Sequence, residues 1–145
     1  MSIGNQKGWT NAALENVERF KERKLQMVRT AAFAAYTEII EGSPVDTGRF
    51  RSNWMIGAGT SKKGQTLDSH TTYSKGQSVT SSEASAALSE INKLGEQSVV
   101  YITNSLDYAH ALENGHSTQN EGFVARANEN FVNRLKAIDA ITLEN

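Results

Sequence analysis

Ser43-Pro44-Val45-Asp46-Thr47-Gly48-Arg49-Phe50-Arg51-Ser52-Asn53-Trp54 contains the sole proline of the chain and separates a long helical pattern from an apolar run. Proline cannot continue a helix, Asp and Thr oxygens close turns on nearby backbone N–H groups, and Gly48 accepts a positive φ. Pro44, Asp46, Thr47 and Gly48 are therefore read as a structural turn at which the chain reverses.

Upstream, residues 1–9 carry Gly4 and Gly8 among polar residues and read as a flexible arm. Thr10 or Asn11 is a plausible N-cap for a helix to about Glu41, roughly 30 residues and about 45 Å. Leu14, Val17, Leu25, Val28, Ala32, Ala35 and Ile39 recur at spacings of three and four, widened by Phe20, Met27, Phe33, Tyr36 and Ile40. The stretch Glu18 to Lys24 is densely charged, either a solvated face or a rim facing a partner. The Ala-rich run from Thr30 to Tyr36 permits close approach of another element.

Downstream, Phe50 to Ala58 alternates imperfectly and reads as a strand, with Trp54 suited to a core or to an interface. Residues 57–82 form a long polar loop, with a hairpin near Thr66 to Tyr73 as the alternative; within an oligomer it would be an arm across a neighbouring subunit. Ser81 or Ser82 caps a helix to about Leu94 with Ala84, Ala87, Leu88 and Ile91 on its buried stripe. Gln97 to Asn104 is a strand whose continuous apolar run suggests a central position. Tyr108 to Asn114 makes about two helical turns, and a last helix runs from Gly122 or Phe123 to Ile141. The fold class is α+β: a long N-terminal helix and shorter helices on an antiparallel sheet of about three to five strands, in a single domain spanning 1–145.

The chain has no cysteine, so disulfides and thiolate metal sites are excluded. His110, Glu113 and His116 invite a metal reading, but Gly115 breaks the helix before His116 and no zincin spacing is met. His70 has no evident partner. No Gly-x-Ser-x-Gly elbow is present, and Gly57-x-Gly59 lacks the Lys-Thr and helix of a phosphate cradle. No enzymatic activity, cofactor or metal is expected. With 15 basic and 16 acidic residues the chain lacks the footprint of a tight nucleic-acid binder. No run approaches the ~20 apolar residues of a membrane span, and no signal segment opens the chain, so assembly in the cytoplasm is expected. Leu, Ile, Val and Phe make up only about a fifth of the residues, so burial is expected to be completed against neighbouring copies.

The Pro-Val-Asp-Thr-Gly-Arg turn pairs with a second stretch, Val100-Tyr101-Ile102-Thr103-Asn104 followed by Tyr108-Ala109 and Glu113-Asn114-Gly115. In this order and spacing, over roughly residues 10 to 140, the two resemble the neck or tail-completion (head-to-tail joining) proteins of tailed bacteriophages. One departure is the absence of the family's proline after the Glu-x-Gly turn, where this chain has residues 118–123. The resemblance implies a structural virion protein of the neck or tail. It would form a homo-oligomeric ring joining the head connector to the tail, with DNA passing through the lumen unbound. Its partners would be its own copies, a portal-proximal connector or head-closure protein, and a tail terminator or tail tube protein. The alternatives are a tail terminator capping the tube and, remotely, a small metal-dependent enzyme. Arg49, Arg51, Trp54, Tyr108 and Glu113 are the candidate subunit-interface residues. For the two arginines the other reading stays open, a pairing of Arg49 with Asp46 or Glu113 that fixes the corner.

Overall fold

The computed structural model describes residues 3–68, 71–95, 99–114 and 122–139. Helix α1 spans Ile3–Gly42, 40 residues and about 60 Å. It starts seven residues before the expected cap at Thr10, because nothing between Ile3 and Thr10 stops a helix already nucleated. Gly4 and Gly8 each cost only about 1 kcal/mol in propensity. Its end is sharp: Ser43 donates its hydroxyl to the Ile39 carbonyl (2.7 Å) and its N–H to Ile40 (3.2 Å), and Pro44 follows.

The expected strand from Phe50 is corrected. Residues Arg49–Ser52 form a single helical turn, α2, and the strand β1 covers Trp54–Ala58. Gly48 enters this turn at φ 88, the Ser52 N–H reaches the Gly48 carbonyl (3.0 Å), and the Asn53 amide caps the Arg49 carbonyl (2.8 Å). Local polar bonds thus override weak alternation.

Helix α3 spans Ser81–Ile91, capped by Thr80 rather than by Ser81 or Ser82. Thr80 and Glu83 form a capping box, each side chain accepting the other's backbone N–H. Strand β2 is Val100–Asn104, α4 is Ala109–Glu113 and α5 is Phe123–Asp139. β1 and β2 pair antiparallel, with Trp54 opposite Asn104, Ile56 opposite Ile102 and Ala58 opposite Val100.

Among the described residues the sheet has two strands, not three to five. The strand count fails because the 59–80 segment has too few apolar side chains to cover a core face, and no hairpin forms near Thr66–Tyr73 among the described residues. β2 is consequently not central.

Helix α1 is the spine. Ala32, Tyr36 and Ile40 pack with Ile56 of β1 and with Ala87, Ile91 and Leu94 from α3 and its end. Val100 and Ile102 of β2 cover the same cluster. A second cluster joins Ile39 to Phe50, Leu106, Phe123 and Ala127. Helix α5 runs antiparallel to α1: Glu38 binds Arg134 (2.6 Å) and Asn130 (3.1 Å), whereas Met27 and Ala31 lie beside Ala137 and Ile138. Small side chains at 31, 32 and 35 let both neighbours approach the spine closely. Residues 11–24 of α1 belong to neither cluster, Leu25 packs against the first, and Leu14 is 57% exposed. Among the described residues, no helix is long and apolar enough to cross a membrane.

Candidate functional site

Within the turn the Thr47 hydroxyl closes on the backbone as expected of its residue type, whereas Asp46 does not. Pro44 and Gly48 are buried, and the Arg49 N–H donates to the Thr47 hydroxyl (3.3 Å). Asp46 is exposed and makes no side-chain hydrogen bond among the described residues. Gly48 carries the tightest constraint, since a Cβ there would lie 2.0 Å from the Thr71 carbonyl oxygen.

Arg51, a candidate for a subunit boundary, is engaged inside the protomer. Its side chain is fully buried within the protomer. Nε and Nη2 grip Glu83 bidentately (2.9 and 2.8 Å), Nη1 donates to the Gln77 carbonyl (2.6 Å), and Nη2 also reaches Ser78 (3.1 Å). The Tyr73 ring stacks on the guanidinium at 4.3 Å. Burial alone would raise the Glu83 carboxyl, but the hydrogen bonds from Arg51 and from the Thr80 backbone, with the Arg51 charge, outweigh it and hold the group below the usual range. Nearby, burial pushes the Tyr36 hydroxyl well up, with Glu83 and Tyr73 adding to the shift.

Trp54 and Glu113 are also engaged inside the chain. The indole of Trp54 donates to the Ser43 hydroxyl (2.8 Å) and meets Phe50 and Phe123 edge-on at 5.7 and 6.4 Å. Glu113 caps α5, accepting the N–H groups of Val124 (2.8 Å) and Ala125 (3.3 Å) at the positive end of the helix dipole. No ion pair joins Arg49 to Asp46 or to Glu113 among the described residues. Tyr108 lies 6.2 Å from Phe50 and stays 40% exposed, and Arg49, Trp54 and Glu113 are each half-buried, so of the five candidates only Arg51 is fully buried. His70, His116 and the 118–121 departure lie outside the described residues, which contain no group of three possible metal ligands.

A cleft of about 490 Å³ runs between β1, α3 and the 62–73 segment. Its charges are committed to each other, Arg51 to Glu83 and Lys62 to Glu90 (3.1 Å). A second depression of about 470 Å³ lies between α1 and α5, where Met27, Ala31, Ala34, Ala137 and Ile138 make an apolar floor rimmed by Arg23 and Arg134. Sequence reasoning found the Ala-rich run of this groove but not its α5 wall, because the antiparallel docking of α5 is a long-range event. The Arg51–Glu83 pair was missed for the same reason: its partners are 32 residues apart. The only local sign was the Thr80-x-x-Glu83 pattern.

A family model described as "Bacteriophage HK97-gp10, putative tail-component" matches residues 10–115. The matched span begins within α1, contains the turn, both strands and α4, and ends before α5. Searches of curated proteins and of solved structures return no match.

Proposed function

This chain belongs to the HK97-gp10-like family of bacteriophage tail components, and on that premise we propose that it is a structural subunit of the virion neck. Copies of it form a ring that joins the head connector to the tail around the DNA channel. The family match carries the virion role. The ring reading is supported by the lopsided protomer, in which α1 extends about 33 Å before Leu25 and its residues 11–24 belong to neither core cluster. A near-balanced charge suits a channel through which DNA slides without being held.

The test is a phage from which this chain is deleted, its lysate imaged by negative-stain electron microscopy beside purified protein. Unjoined heads and tails, corrected by supplying the chain, are expected. Joined, infectious particles in its absence would sink the proposal.

A further inference from the structure

We propose that the cleft beside β1 is a peptide-binding site, in which an extended, uncharged segment of another protein chain adds as a strand to the free edge of β1. The inference stands apart from the neck reading, and its test needs no phage particle.

The ladder fixes which backbone groups face the cleft. The Gly59 N–H donates to the Val99 carbonyl (2.7 Å), continuing the register in which Gly57 faces Tyr101 and Met55 faces Thr103. Hydrogen-bonded and non-hydrogen-bonded pairs alternate along an antiparallel ladder, so Trp54, Ile56 and Ala58 turn their N–H and C=O groups away from β2. Among the described residues, no backbone hydrogen bond outside the ladder reaches Trp54 or Ile56. Trp54, Met55 and Ile56 all line the cleft. Successive side chains of a strand point to opposite faces, so a cavity touching three residues in a row runs along the strand's edge. Such an edge is a template for one ligand class, an extended backbone whose donors and acceptors repeat at the same two-residue spacing. Four extended residues, about 13 Å, match most of the Trp54–Ala58 edge.

The interior of the cleft gives a second, independent sign. Tyr36 lines it, is only 4% exposed, and makes no side-chain hydrogen bond among the described residues. Burial, with the Glu83 carboxylate nearby, keeps its phenol protonated, so it is a donor at any ordinary pH. A buried hydroxyl is ordinarily bonded, and a carbonyl of the added strand supplies the acceptor. The four charged residues of the lining cancel in pairs, Arg51 with Glu83 and Lys62 with Glu90. A charged segment would lose its hydration there and meet no free counter-charge, which selects an uncharged one. Leu67, Tyr73 and Ala86 stand on the walls to meet its side chains. The segment comes from another chain rather than from a second copy's long 59–80 stretch, because that stretch is bonded to its own protomer at Leu67, Thr71 and Gln77.

The test pans purified full-length chain against a display library of random heptapeptides, with overlapping peptides of its own sequence run alongside. Enriched sequences are expected to lack charge over four consecutive positions. Measured by fluorescence anisotropy, their synthetic versions should lose about tenfold or more in affinity when one alternate set of amides is N-methylated, and little when the other set is. Ala86→Trp, a plug at an exposed position of α3, should abolish binding. Tyr36→Phe should weaken it about three- to tenfold without lowering the melting temperature, since the hydroxyl has no partner to lose. No enrichment, a charged consensus, equal losses from both methylated sets, or binding that survives Ala86→Trp overturns the site. A Tyr36→Phe chain that melts lower but binds as well assigns the hydroxyl to the fold and counts against it. Tighter binding by the chain's own peptides gives the cleft to a second copy and overturns the assignment to another chain.

Discussion

Replacing Arg51 by Met should destabilise the protomer by about 3–5 kcal/mol, the usual cost of removing one partner from a buried ion pair. The side chains of Arg51 and Glu83 are 0% and 10% exposed. After the substitution Glu83 keeps the Thr80 N–H and hydroxyl but loses both guanidinium bonds and the compensating charge. The Gln77 and Ser78 carbonyls lose their donors as well, though they lie near the surface where water replaces part of the loss. Tyr73 forfeits a cation–π contact of about 0.5–2 kcal/mol. Glu83→Gln should cost less, about 1.5–3 kcal/mol, because an amide oxygen still accepts from Arg51. The double variant should fall short of additivity by about 1–3 kcal/mol. Urea unfolding followed by far-UV circular dichroism measures all three, at one fixed protein concentration so that self-association does not shift the midpoint. A single-variant loss below about 1 kcal/mol, or additivity within about 0.5 kcal/mol, would refute the claim that this pair locks the corner.

Acid should weaken the fold through the same carboxylate: a group held below its ordinary 4.5 in the folded state stabilises above that pH, and the benefit disappears as pH falls through the folded value. Melting temperature measured from pH 7 to pH 3 should drop below about pH 4.5, more shallowly in Glu83→Gln; parallel curves would contradict this. Gly48→Ala should cost about 2 kcal/mol or more by urea titration, since φ 88 disfavours a side chain and the new Cβ meets the Thr71 carbonyl. Gly59→Ala, also at positive φ but with open space around it, should cost only the backbone share. Phe123→Ala, which empties the junction of Phe50 and Trp54, should cost about 3–5 kcal/mol and shift tryptophan fluorescence to the red.

What could be read from the residues was the helical part of the fold. The three-and-four spacing from Leu25 to Ile39 fixed the buried side of α1, and Ala87 with Ile91 did the same for α3. Pro44 and Gly48 located the reversal because their conformational limits are local. The strand boundaries were less legible. Phe50 and Trp54 invite an alternating reading, yet a four-residue separation also suits one helical turn, and the hydrogen bonds of Asn53 decide for the turn. Arg51 was beyond the sequence. An arginine beside an exposed turn ordinarily faces water or a partner, and only the return of residues 73–83 over β1 buries it.

That return also decides which part of the protomer can reach a neighbour. Residues 59–80 look from their composition like a free polar arm, yet the corner holds them at successive points. Asn53 clasps both the N–H and the carbonyl of Leu67, Ser52 accepts from Thr71, and Arg51 takes the carbonyls of Gln77 and Ser78. Glu41 accepts from Val79, and Ser105 accepts from Gly64 on the far side. Freeing the segment would break these hydrogen bonds, the Tyr73 stack on Arg51 and the Lys62–Glu90 pair at once, several kcal/mol that a surface contact with a neighbour does not readily return. The segment therefore works as a strap closing β1 onto α3, and the turn motif is conspicuous because several of its residues each hold a different part of that strap. Residues 11–24 of α1 differ from the strap in belonging to neither core cluster.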